Sequence, residues 1–183
     1  MDVKNDKILS AAFRLFHQHG FKKVTMSDIA AAAEMSRPTL YAAFSSKEAI
    51  FGGLARRQHE RGDAEIALRL PRVKTLGSRL GVLFDVWILE PFASVVDSPN
   101  GRDLLAHGDT YAPDAIHDTY RRFEEHLVAV LAPHMKGKRA LGAADLAHIL
   151  TMATRGLKAT ATSLEELQRF TQGLIAMAVA TAG

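Results

Sequence analysis

Residues 25–44 read Thr25-Met26-Ser27-Asp28-Ile29-Ala30-Ala31-Ala32-Ala33-Glu34-Met35-Ser36-Arg37-Pro38-Thr39-Leu40-Tyr41-Ala42-Ala43-Phe44, and they hold two helix starts close together. Thr25 with Asp28 three residues later is a capping-box pattern, in which the two side chains satisfy each other's backbone N–H groups. Ile29, Ala30 and Ala33 then form an inward face. Ser36 is a second N-cap, with Pro38 in the first turn, where a missing N–H costs little. Leu40, Tyr41 and Phe44 follow. Upstream, Ile8, Ala12, Leu15 and Phe16 recur at i, i+4, i+7 and i+8, which predicts a helix over 4–18 that Gly20 stops. Downstream, Ser45 and Glu48 read as another capping box, opening a fourth helix with Ile50, Phe51 and Leu54 inward.

The rest of the chain keeps this helical character. No sustained period-2 alternation and no Asn-Gly or Asp-Gly hairpin turn is found. Prolines at 71, 91, 99, 113 and 133 punctuate the sequence. Between them, 72–90 carries Leu76, Leu80, Leu83, Phe84 and Trp87, and 114–132 carries Ile116, Tyr120, Phe123, Leu127, Val130 and Leu131; each predicts a five-turn helix. A shorter helix is expected over 98–107. Residues 136–142 read as a loop. Two last helices follow, one over 143–158 and one capped by Ser163 with Glu166 in box position.

Composition narrows the class. Of 183 residues, 48% are hydrophobic and 23% charged, which excludes a disordered chain. No apolar run approaches the ~18 residues that span a bilayer. Asp2, Lys4, Asp6 and Lys7 interrupt the N-terminus, so no secretory signal is expected and the expected location is cytoplasmic. With no cysteine, disulfides, thiolate metal sites and cysteine nucleophiles are all absent. Charge is uneven: residues 1–61 hold ten Lys and Arg against six Asp and Glu, whereas 62–183 hold thirteen against fourteen. A basic first third fits a polyanionic partner.

Three short helices within 45 residues, the second and third separated by a tight turn, describe a helix-turn-helix. In that geometry the second helix crosses the phosphate backbone while the third puts its N-terminal residues against base edges in the major groove. The third helix here presents Ser36, Arg37, Pro38, Thr39 and Tyr41. Arginine can donate two bonds to guanine, and the ring of Pro38 suits a thymine methyl. Thr25, Thr39, Tyr41 and Lys47 suit phosphate oxygens.

Over residues 8–54 the chain resembles the DNA-binding domain of the TetR family of transcriptional regulators. The resemblance rests on Phe16-His17-Gln18-His19-Gly20-Phe21, Thr25-Met26-Ser27-Asp28-Ile29-Ala30, Ser36-Arg37-Pro38-Thr39-Leu40-Tyr41-Ala42-Ala43-Phe44 and Ser46-Lys47-Glu48. Two positions depart from the family pattern: Glu34-Met35 stands where the turn usually has glycine, and Ala43 where an aromatic or His usually precedes the closing Phe. A non-glycine residue at positive φ in that turn carries strain.

The resemblance implies an all-α protein. A helix-turn-helix DNA-binding domain over 1–50 would be joined to a larger helical ligand-binding and dimerisation domain over 51–183. It further implies a homodimer on a two-fold DNA operator, acting as a repressor released by a small-molecule effector. The effector pocket is expected among the middle helices, with Phe84, Trp87, Ile88, Tyr111, Tyr120, Phe123 and Met152 as candidate lining. The last two helices are expected to pair with their copies through Ile149, Ala153, Leu157, Leu167, Phe170 and Leu174.

An alternative is a helical ligand-binding or protein-interaction dimer whose N-terminal head does not read DNA. An enzyme is not expected, because the eight histidines form no HExxH pattern and no carboxylate-His-Ser set. Neither cofactor nor metal site is expected; Asp114, His117 and Asp118 read as a solvated helix start.

Overall fold

The computed structural model describes residues 3–135 and 141–183. Ten α-helices run through them: α1 Val3–His19, α2 Met26–Ala32, α3 Arg37–Ala43, α4 Lys47–Arg69, α5 Leu76–Phe84, α6 Glu90–Ala93, α7 Pro99–Tyr111, α8 Pro113–Leu131, α9 Ala143–Thr160 and α10 Leu164–Ala182. No strand occurs among the described residues, and none of their helices is long and apolar enough to cross a membrane. The loop expected over 136–142 falls mostly on 136–140, outside the described residues.

The chain forms two compact units, Met1–His59 with Val95–His117 and Glu60–Ser94 with Asp118–Gly183. In the first, α1 packs on α2 and α7, and α2 on α3. Ile8, Ala12 and Phe16 of α1, Ile29 of α2, Leu40 of α3 and Ile50 of α4 are wholly buried together. Leu40 thereby anchors α3, and its truncation to Ala would cost about 2–5 kcal/mol. Arg57 on α4 ties down α1, its Nη1 donating to Asp6 Oδ1 at 3.0 Å and to Ser10 Oγ at 2.9 Å. The second unit packs α10 against α5 and α9 around Leu80, Phe84, Phe123, Leu127, Leu131 and Leu167.

Two local expectations are corrected. α4 is capped one residue later than read: Ser46 Oγ accepts from Ala49 N–H at 3.2 Å, so Ser45 is not the cap. The helix expected over 72–90 is broken. Residues 70–72 form a 3-10 turn, and Thr75 caps α5 by accepting from Ser78 N–H at 3.1 Å. Asp85–Leu89 then widens into a π-turn in which Glu90 N–H bonds Asp85 O. Pro91 supplies the reason: it has no N–H, and in an α-helix its ring would clash with the carbonyl of Trp87.

Candidate nucleic-acid interface

Local chemistry builds the head as the sequence reads. Thr25 N–H donates to Asp28 Oδ2 at 2.8 Å and Asp28 N–H to Thr25 Oγ1 at 3.2 Å, which completes the capping box of α2. The Thr25 hydroxyl also donates to Asp28 Oδ2 at 2.7 Å, and this bond, with that from the Thr25 N–H, holds the Asp28 carboxyl below its usual range. Ser36 Oγ accepts from Thr39 N–H at 3.2 Å, and the two hydroxyls lie 2.7 Å apart.

The turn between these helices carries the departure noted above. Glu34 has φ +53°, the left-handed conformation that glycine adopts without penalty. Its carboxylate meets Lys7 of α1 at 2.6 Å, and that bond keeps its pKa low.

α3 buries Leu40 and leaves Arg37, Pro38 and Tyr41 exposed, Tyr41 by 46%. Ser36 and Thr25 are exposed, and Thr39 is half-buried. Phe44 belongs to the core. Thus one side of α3 is anchored while the other offers a guanidinium, an apolar ring and a phenol. Lys22 and Lys23, just before α2, are also exposed.

Lys47 is engaged in a way the sequence did not reveal. Its Nζ donates to Phe21 O at 2.6 Å, Val24 O at 2.9 Å and Lys22 O at 3.4 Å, and it lies 4.5 Å from the centre of the Phe21 ring. The expected phosphate contact of Lys47 therefore competes with a bond set that pins the loop before α2. Those partners lie 23 to 26 residues away, so no local pattern signals them.

The candidate effector residues divide. Phe84, Trp87, Ile88 and Phe123 are buried in the second unit, Phe84 edge-on to Phe123 at 5.3 Å, and Trp87 lies 5.4 Å from the His126 ring. Tyr120 is half-buried beneath the Arg155 guanidinium, at 5.1 Å. Two candidates stand apart from these. Tyr111 belongs to the first unit, stacked on Phe21 at 4.0 Å, and Met152 stands 51% exposed on α9.

The candidate dimer residues also divide. Leu167 and Leu174 are buried within the chain, so they are core and not a free face. Ala153 and Leu157 are half-buried. Ile149 and Phe170 stay exposed, and so do Met152 and Met177. Among the described residues no group of three or more His, Asp or Glu is arranged to hold a metal ion.

The capped, tightly joined helix pair with its anchored and exposed faces defines a helix-turn-helix protein. The family profile described as "Bacterial regulatory proteins, tetR family" matches residues 8–54. The HTH-type transcriptional repressor ComR of Escherichia coli (strain K12) is 32% identical over 111 residues, covering 60% of this chain and 52% of that protein. The chain thus spans about half the length of that curated relative.

Among solved structures, the fatty acid degradation regulator FadR from Bacillus halodurans aligns with a TM-score of 0.74 at 16% identity, covering 98% of this chain and 96% of that one. A putative TetR-family transcriptional regulator from Rhodococcus sp. gives 0.74 at 18% identity, with 97% and 100% covered. These likenesses carry the fold. Residues 8–54 are thus similar to the DNA-binding region of TetR-family transcriptional regulators, and the whole chain has the fold of such regulators.

Proposed function

We propose that the chain is a ligand-responsive transcriptional regulator that binds a two-fold DNA operator as a homodimer in the cytoplasm, represses, and is released by a small-molecule effector. It is not an enzyme and needs no cofactor. The observation that carries this reading is the exposure of Arg37, Pro38 and Tyr41 on a helix anchored by Leu40. Arg37 would read guanine, Pro38 a thymine methyl, and Thr25, Ser36, Thr39 and Tyr41 would take phosphates. Lys47 would join them by exchanging loop carbonyls for a phosphate. Residues 1–50 would form the reading head and 51–183 the body.

The homodimer is supported by the exposed apolar side chains of Ile149, Met152, Phe170 and Met177 on the last two helices. Two heads are needed because a two-fold operator sets its half-sites about one DNA turn apart, ~34 Å. The effector would lodge among Phe84, Trp87, Ile88, Tyr120 and Phe123, and α4 would carry its effect to the head. For release, it must bind the two arrangements of the dimer unequally, since equal affinity shifts nothing.

Selection of duplexes from a random DNA pool with the full chain tests the reading. Enrichment of inverted half-sites spaced by about one turn is the expected result. No enrichment, with a folded protein, would favour the alternative of a head that does not read sequence. Salt sharpens the distinction, because phosphate contacts weaken steeply with ionic strength and apolar protein interfaces do not.

A further inference from the structure

The residues that match the family's DNA-binding domain do not complete their own compact unit; α7, more than forty residues downstream of them, belongs to it as well. Its N-terminal end works on α1. Asn100 Nδ2 donates to His17 O at 3.1 Å and Gln18 O at 3.0 Å, and Ser98 Oγ donates to His17 O at 3.2 Å. These carbonyls lie in the last turn of α1, where no further helical N–H is available to them. Gly20 follows at φ +82°, and a Cβ there would stand 3.1 Å from Asn100 Oδ1. Glycine suits the backbone angle, and a side chain there would crowd Asn100.

The C-terminal end of α7 works on the next residue. Tyr111 stacks on Phe21 with centroids 4.0 Å apart and planes 19° apart, and it stands edge-on to Phe51 at 5.9 Å. Its hydroxyl donates to Asp103 Oδ2 at 3.0 Å, which fixes the ring. Burial, with that bond, pushes the phenol's pKa up, so it remains a proton donor. Phe21 in turn lies against the Lys47 ammonium, which also holds Phe21 O and Val24 O. Val24 is followed directly by Thr25, the cap of α2. A continuous set of contacts thus runs from α7 through the 20–24 loop to the start of the helix pair that faces DNA.

We propose that α7 is a working part of the DNA-reading unit, and that Asn100 and Tyr111 are positioning residues that set the placement of α2 and α3 through the loop they grip. Neither side chain touches DNA in this proposal, which rests on the regulatory reading above.

The test uses the full chain and an operator duplex obtained by the selection described above. Wild type, Asn100→Ala, Tyr111→Leu and Tyr111→Phe are compared by anisotropy over a range of salt, each normalised to its active concentration by stoichiometric titration. A merely structural role would lower thermal stability or active fraction and leave the affinity of the folded fraction alone. The proposal predicts that Asn100→Ala and Tyr111→Leu bind about tenfold more weakly or worse, with the salt slope unchanged because no phosphate contact is removed. Tyr111→Phe, which keeps the stacked ring, should stay within about threefold of wild type.

Wild-type affinity in folded Asn100→Ala and Tyr111→Leu would overturn the proposal, and so would a reduced salt slope, which would make these residues phosphate contacts. If Tyr111→Leu does not fold, Asn100→Ala alone decides. Failure of the wild type to prefer any duplex would overturn the regulatory reading itself.

Discussion

At Glu34 the backbone sits at φ +53° with a side chain that pays a steric penalty for being there. Lys7 partly offsets it, but the pair is exposed and such pairs contribute little. Glu34→Gly should therefore raise the thermal midpoint by roughly 2–4 °C, read by circular dichroism; a lowered midpoint would mean that the ion pair outweighs the strain. The family resemblance made this residue legible, because Glu34-Met35 stands where that turn usually has glycine. Thr25, Ser36 and Ser163 were equally legible, since a cap bonds only three residues ahead. Lys47 was not: its carbonyl partners come from a different loop, and only the fold brings them together.

Helices were read well in extent and less well in facing. α8 and α10 match their sequence limits closely because proline and serine bound them. The helix expected from residue 72 failed because apolar spacing tolerates the extra residue of a π-turn, and Val86, Trp87 and Ile88 are buried in succession there. Leu167 and Leu174 share α10 with Phe170 and Met177, and periodicity alone does not say which apolar side meets the protein's own core. Tyr111 lies in the first unit, apart from Phe84, Trp87 and Phe123, because α7 is far along the chain yet joins that unit. The grip of α7 on that unit begins at Gly101, where a Cβ would stand 2.1 Å from the Val95 carbonyl oxygen. Gly101→Ala should cost about 1–3 kcal/mol through this overlap, measured by denaturant unfolding. A neutral result would show that the start of α7 shifts freely.

For the whole molecule, four carboxyls share one sign. Thr25 lowers the pKa of Asp28, Lys7 that of Glu34, Arg121 that of Asp118 and the Thr162 backbone that of Glu166. Each contributes stability present above its unfolded value of about 4 and lost as pH falls through the lower folded value. Burial raises Asp85 instead, so its contribution is lost as pH rises through its folded value. The thermal midpoint should change little between pH 7 and about 5 and fall clearly by about pH 3; equal midpoints at pH 7 and 3 would contradict this. The proposed dimer is tested by sedimentation: Ile149→Glu with Phe170→Glu should yield folded monomers, and an unchanged dimer would place the interface elsewhere. The claim that the head reads DNA sequence is tested most directly by anisotropy of the full chain on its selected duplex against a length-matched scrambled one, at two salt concentrations, with Arg37→Ala alongside. The account predicts tighter, salt-sensitive binding to the selected duplex, and loss of that preference in Arg37→Ala, worth about 1–3 kcal/mol of discrimination. Equal binding to both duplexes by the wild type, or a preference that survives Arg37→Ala intact, would contradict it.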